Sequence, residues 1–216
     1  MNYLDLVNSV LTLLREDIAR DVGSGDAVEE LVAMFINDAK RTVEDTHAWN
    51  ALRTEWSETI PANAPSFALS DTKGVAATIQ EVRVQGGALL QEVTNATLRQ
   101  RKANSNGLAP ASLYAVNGVA RPSGNISVSV HPTSSTAQVV DVYGFSKEPD
   151  LALASDETLL PSRPIIYLAY ALASRERGEV GGQTSAEIFG MAGQYLKDAV
   201  AHDAALNQLE YNWYTV

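Results

Sequence analysis

The residues able to do acid–base, nucleophilic or metal chemistry are few and scattered. The three histidines, His47, His131 and His202, fall in three different segments. None has a second ligand at metal spacing, so each reads as an ordinary surface or boundary histidine. There is no cysteine, which removes disulfide scaffolds, thiolate metal sites and cysteine nucleophiles. No Gly-x-Ser-x-Gly elbow and no Gly-Lys-Ser or Gly-Lys-Thr phosphate loop occurs. Gly23-Ser-Gly-Asp26 has the outline of a phosphate cradle. Beside an acid cluster it reads instead as a turn between helices with Asp26 as the cap. The carboxylates Glu44/Asp45 and Asp156/Glu157 are adjacent. Neighbours on a helix point about 100° apart, so these pairs read as solvated surface charge and not as a shared acid–base site. Nothing here selects a catalytic residue, a cofactor site or a metal site, and a hydrolase using two distant carboxylates stays open.

Three features point to interaction instead. Arg99-Gln-Arg-Lys102 is the one basic cluster in an acidic chain. It is either a solvated loop or, through Arg99, Arg101 and Lys102, a contact for DNA or an acidic partner surface. The tail Leu209-Glu-Tyr-Asn-Trp-Tyr-Thr-Val216 is aromatic, whereas termini are usually polar and frayed. Leu209, Tyr211, Trp213 and Tyr214 either fold back on their own helices or anchor in a partner pocket. The last helical segment carries Ala186, Gly190, Ala192, Gly193 and Ala199. Glycine inside a helix costs about 1 kcal/mol, which close packing on a helix of the same chain or of a neighbour would offset.

The elements that must position these residues follow from periodicity. Tyr3, Leu6, Val7, Val10, Leu11, Leu14 and Ile18 recur at helical spacing. Asp26 with Glu29 opens a second helix, lined by Val28, Leu31, Val32, Phe35, Ile36, Ala39 and Val43 and extended by Trp49, Leu52 and Trp56 to about residue 56. The middle reads as strands: Thr78–Val84 before a Gly86-Gly87 turn, Leu113–Val116 before the hairpin signal Asn117-Gly118, alternating Ile126, Val128 and Val130, then Val139 to Phe145. Thr97 to Ala109 reads as a short helix running into a loop. Ser162 with Pro164 opens a third long helix, Gly181-Gly182 marks a turn, and Thr184 with Glu187 opens a fourth. The expected fold class is α+β, mainly α: a helical bundle from both chain ends with a small antiparallel β-rich insert. The segments are residues 1–60, 61–150 and 151–216, in a single structural unit.

The 216 residues are 45% hydrophobic and 19% charged, a globular composition. Residues 1–60 hold twelve acids and five bases, 61–150 six and seven, and 151–216 eight and four. The formal charge of −10 argues against tight nucleic-acid binding, which needs a basic footprint. The first residues lack a basic n-region, so no cleaved signal is expected, and no apolar run reaches the ~20 residues of a membrane span. A soluble intracellular protein is expected.

Several stretches, taken together, resemble one family. They are Tyr3-Leu-Asp-Leu-Val-Asn-Ser-Val10; Phe35-Ile-Asn-Asp-Ala-Lys-Arg41 with His47-Ala-Trp49-Asn50 and Leu52-Arg53; a hairpin from Ile126 to Phe145 followed by Glu148-Pro-Asp-Leu151; Pro161 before Ile165–Ser174 and Glu176-Arg-Gly-Glu179; and Tyr195-Leu-Lys-Asp-Ala-Val200 with Trp213. The layout resembles the head-to-tail adaptor (connector or neck) proteins of tailed bacteriophages, including the tail tubular protein A type. The resemblance implies a structural virion protein, made in the host cytoplasm and placed at the head–tail junction. It would form a homo-oligomeric ring, commonly a dodecamer, that binds the portal protein and a tail or nozzle protein and lines a channel. DNA passes such a channel without specific binding, and no membrane is involved. The rival readings are another neck or tail-completion component, or a small helical hydrolase acting on cell wall.

Overall fold

The computed structural model describes residues 1–23, 26–69, 77–104, 107–119, 125–176 and 183–206, without the side chains of residues 119, 183 and 184. The chain divides into two compact units, Met1–Ala51 with Pro149–Val216, and Leu52–Glu148. The expected α+β mixture is present.

The first unit is helical. Helix α1 spans Tyr3–Leu13, α2 Ala27–Thr46, α4 Ser162–Glu176 and α5 Gln183–Leu206. Helix α4 packs on α1, α2 and α5, and the apolar stripes read from the sequence meet there. Leu6, Val10, Ile36, Val43, Ile165 and Ala169 are fully buried. The start of α1 is satisfied twice. Asn2 Oδ1 accepts from the Asp5 N–H, and the loop carbonyls of Asp156 and Ala154 accept from Tyr3 and Leu4. At its end, Arg15 takes the left-handed conformation (φ 58°), while Glu16 N–H bonds to Leu11 and Arg15 N–H to Thr12, a Schellman closure. Ile18, expected on the α1 face, lies past this closure and is exposed. Asp26 caps α2 as expected, accepting from Val28 N–H at 2.8 Å.

Helix α2 does not reach residue 56. It stops at Thr46, where His47 turns extended (φ −151°) and the buried Trp49 donates its indole N–H to the Val43 carbonyl. Residues Arg53–Ile60 are strand β1. Apolar Trp56 and Ile60 fit a strand face four residues apart as well as a helix, and the flanking Thr54 and Thr59 favour the strand.

The second unit holds two sheets. Strands β1, β7 (Gln138–Ser146) and β3 (Ala77–Val84) form one in the order β1-β7-β3. Strands β2 (Ser66–Ala68), β6 (Ile126–His131), β5 (Leu113–Val119) and β4 (Gln91–Glu92) form the other in the order β2-β6-β5-β4. Helix α3 (Asn95–Asn104) lies on β5 and β6. Trp56, Ile60, Phe67, Val82, Tyr114, Val128, Val130 and Val142 share one core. Three expectations need correction. The insert is not wholly antiparallel, because β4 runs parallel to β5. Ile126 to Phe145 is not a hairpin, because β6 and β7 belong to different sheets. Asn117-Gly118 is not the turn either. Val116 pairs with Val128 and Gly118 with Ser127, so Asn117 is the extra residue of a bulge, with Gly118 at φ 90°. The Asn117 amide bonds Ser129 Oγ at 2.7 Å across the pair.

Candidate interaction surfaces

Two side-chain clusters in the helical unit hold the points where the chain leaves for residue 52 and returns at residue 149. At the return, Asn37 pairs with the Leu151 backbone in both directions, at 3.0 and 2.9 Å. The fully buried Lys40 donates to the Pro149 carbonyl at 2.9 Å. Arg41 grips the Asp150 carboxylate through Nε at 3.0 Å and through a terminal nitrogen, and this hydrogen bonding holds the guanidinium pKa above its ordinary value. The Tyr3 hydroxyl joins in, donating to Ala33 and accepting from Asn37, and burial pushes this phenol up. At the departure, the buried Asp203 carboxylate on α5 lies 3.0 Å from His47 Nε2 and accepts from the Asn50 N–H at 3.1 Å. Asn50 Nδ2 also donates to the Asp203 carbonyl at 2.9 Å. His47 stands edge-on to Trp49. Stretches 35–41 and 148–151, which both carried the family resemblance, thus meet across more than 100 residues of sequence, and stretch 47–50 meets Asp203, three residues beyond the stretch 195–200.

These contacts bear on two readings. His47 is a boundary histidine, as read, with its side chain 21% exposed and bonded to Asp203. Glu44 is not solvated surface charge but buried. Asp156 fits the surface reading better, although it is employed. It accepts the Ala152 and Leu153 N–H groups at 2.8 Å each, and those bonds hold its pKa below the usual 3.8. His202 is exposed. His131 is buried, and desolvation, followed by Lys102 and Arg101, lowers its pKa.

The basic cluster lies on α3. Leu98 is the buried residue of this helix. Asn95 Nδ2 donates to the Val116 carbonyl at 2.8 Å and Lys102 Nζ to Pro65 at 3.3 Å. Desolvation lowers the Lys102 pKa. Arg99 and Arg101 are exposed, with no ion pair among the described residues. The three cations are therefore not equivalent: Lys102 is tied down, and the two arginines are free to meet something else.

Leu209, Tyr211, Trp213 and Tyr214 lie outside the described residues, as do the centre of the 23–26 turn, the Gly181-Gly182 turn and the Thr184 side chain. A side chain at Gly190 or Gly193 would meet nothing within 4 Å, so no neighbour closes on these glycines among the described residues. Beside Gly193 lies a small apolar cleft of about 130 Å³ lined by Val43, Pro164, Leu168, Phe189, Ala192 and Leu196. In the β unit a polar groove runs between Arg53, Glu55, Glu81 and Tyr143. Its carboxylates are already engaged, Glu81 by Arg83 at 3.0 Å and Glu55 by the Tyr143 hydroxyl. Among the described residues there is no cluster of three metal-capable side chains, and no helix is long and apolar enough to cross a membrane.

The unit boundaries also sharpen the charge pattern. The helical unit carries nineteen acids and eight bases, and Leu52–Glu148 carries seven and eight. The net negative charge therefore belongs to the helical unit, loops included, and the other unit is close to neutral. No curated protein matches the chain. The family model described as SU10 adaptor protein matches residues 1–211, nearly the full length, and the chain therefore belongs to the SU10 adaptor protein family, a family of phage head-to-tail adaptors.

Proposed function

We propose that this chain is a structural virion protein that assembles as a closed ring, commonly of twelve subunits, joins the portal to the tail or nozzle protein at the head–tail junction, and lines the channel through which DNA passes. The observation that carries the reading is the family match over residues 1–211, joined to the concentration of acid in the helical unit. A ring of one chain needs heterologous contacts whose rotation closes. An acidic wall repels phosphate and lets DNA slide without sticking. In this reading the helices of both chain ends act as one bundle in the ring wall. The open faces of Gly190 and Gly193 leave room for close approach by a neighbouring helix. No catalysis and no cofactor enter.

The aromatic tail docks in the portal or in a neighbouring subunit. Its three aromatic residues, Tyr211, Trp213 and Tyr214, are the motivation. Deleting residues 209–216 abolishes attachment to the portal and leaves the helical circular dichroism intact; unimpaired attachment removes this part. Arg99, Arg101 and Lys102 belong to an assembly surface, and unchanged particle assembly and DNA retention after replacing all three by Ala would make them solvated charge. The ring itself is tested by native mass measurement. A large closed oligomer, alone or on adding portal protein, supports it; a chain that stays monomeric with portal present overturns it.

A further inference from the structure

The free surface of α3 has a definite shape. At about 100° per residue, Ala96, Gln100 and Ala103 point away from the buried Leu98, and all three are exposed. At the same spacing Arg99 stands about 100° from Leu98 on one side and Arg101 about 60° on the other, so the two flank this Ala-Gln-Ala face, Arg101 nearer the buried side. A rod pressed against the face is held between two guanidinium groups. A phosphate backbone is better served by cations on one face, reaching one groove edge.

Helix α2 presents a matching rod. Its exposed ridge runs Glu30, Met34, Asp38 at intervals of four residues, and Met34 is 51% exposed. Eight residues at 1.5 Å rise put the two carboxylates' attachment points about 12 Å apart, close to the diameter of a helix with its side chains. Methionine between them is an adaptable apolar contact. Asp38 has only an exposed partner, Arg41 at 3.6 Å, which is itself committed to Asp150. The two faces also carry opposite charge, two arginines against two carboxylates. We infer that α3 of one subunit packs across α2 of the next, with Ala96, Gln100 and Ala103 over Met34 and with Arg99 and Arg101 on Glu30 and Asp38. This rests on the ring reading above. One helix crossing is small beside a standard interface. A closed ring uses it twice per subunit, once from each side, which suits a contact that forms only on closure.

The test uses the full chain, by native mass measurement and sedimentation velocity, alone and with portal protein. The double reversals Arg99→Glu/Arg101→Glu and Glu30→Lys/Asp38→Lys each set like charges opposite one another. Each is expected to weaken assembly by about tenfold or more, and the four substitutions in one chain are expected to restore it. Circular dichroism checks folding. Where a reversal misfolds, Arg99→Ala/Arg101→Ala gives the same reading with smaller amplitude. Rings that form normally in both double reversals overturn the inference and leave the ring reading standing, and so does a fourfold variant as weak as its parents. Normal rings that lose a short fluorescent DNA duplex at low salt in Arg99→Glu/Arg101→Glu assign α3 to DNA and overturn it too. A wild-type chain that never closes, with or without portal protein, removes both readings.

Discussion

The helical unit and the β unit differ in how they use polar groups inside. Lys40, Glu44 and Asp203 are all buried in the helical unit, and among the described residues the β unit buries no Asp, Glu, Lys or Arg. Its core is a continuous apolar cluster around Trp56, Val128 and Val142. The difference has a physical reason. The helices pack by apolar stripes, and directional hydrogen bonds donated by Asn37 and Lys40 and accepted by Asp203 fix which backbone segment sits where. The two sheets already fix register through their ladders, bulges included, so their core needs only volume and shape.

The comparison breaks or sharpens under four measurements. The largest effect comes from a matched pair, Ile36→Ala in the helical unit and Ile60→Ala in the β unit, both buried. Each is expected to cost about 3 kcal/mol. Residue-resolved hydrogen exchange then shows protection falling mainly in the unit that carries the substitution; equal loss in both units for both variants would dissolve the distinction. Asp203→Ala comes next. It leaves the Asn50 N–H without its carboxylate and is expected to cost about 2 kcal/mol, read by denaturant titration, with protection in strands β5 and β6 unchanged. A cost near zero would mean that the Asp203 hub does not hold the helices.

The third measurement is alkaline. The Tyr114 hydroxyl is pushed up to about 12, first by burial and then by Glu92. The unfolded chain ionises near 10 and the folded chain resists. The contribution of this group is complete below pH 10 and disappears as pH rises to about 12. Tyr114→Phe should flatten that part of the stability profile; an unchanged slope would deny the coupling. The smallest effect is acidic. Asp156 titrates below its usual value because the Leu153 and Ala152 N–H groups hold its anion. Its contribution is present above about pH 4 and fades as pH falls through the lowered value. Asp156→Asn should remove a slight slope there, and a steeper acid limb in the variant would reverse the sign.

Much of this molecule is legible in sequence because it is local. The apolar recurrence of α1, α2 and α4, the Asp26 cap and the alternation of β6 and β7 each depend on near neighbours. The end of α2 was legible in principle. Arg53-Thr-Glu-Trp-Ser-Glu-Thr-Ile60 alternates inward and outward in the fold, but Trp49, Leu52 and Trp56 also fit a helix, and only the strand preference of Thr54 and Thr59 separates the two. Asn117-Gly118 has hairpin chemistry, and the sheet uses its left-handed glycine for a bulge. The assignment of β6 and β7 to different sheets depends on partners far away in the chain. So do the contacts of Lys40 with Pro149 and of Asn50 with Asp203, which span 109 and 153 residues. A lysine in a helical stripe reads as surface until the carbonyl that receives it is known. The basic cluster was visible by composition, but only the fold separates Lys102, tied to Pro65, from the two free arginines.

The paired clusters have a mechanical consequence. Because the chain crosses from the helical unit at residue 51 and re-enters at 149, tension on the β unit is carried by two tethers in parallel. One ends on the α5 carboxylate of Asp203, and the other on three consecutive residues gripped by α2, Pro149 and Leu151 by their backbone and Asp150 by its carboxylate. Neither tether can pay out chain without breaking several short bonds together. An optical-trap pull between residues 51 and 149 should therefore meet an abrupt rupture and not a gradual extension.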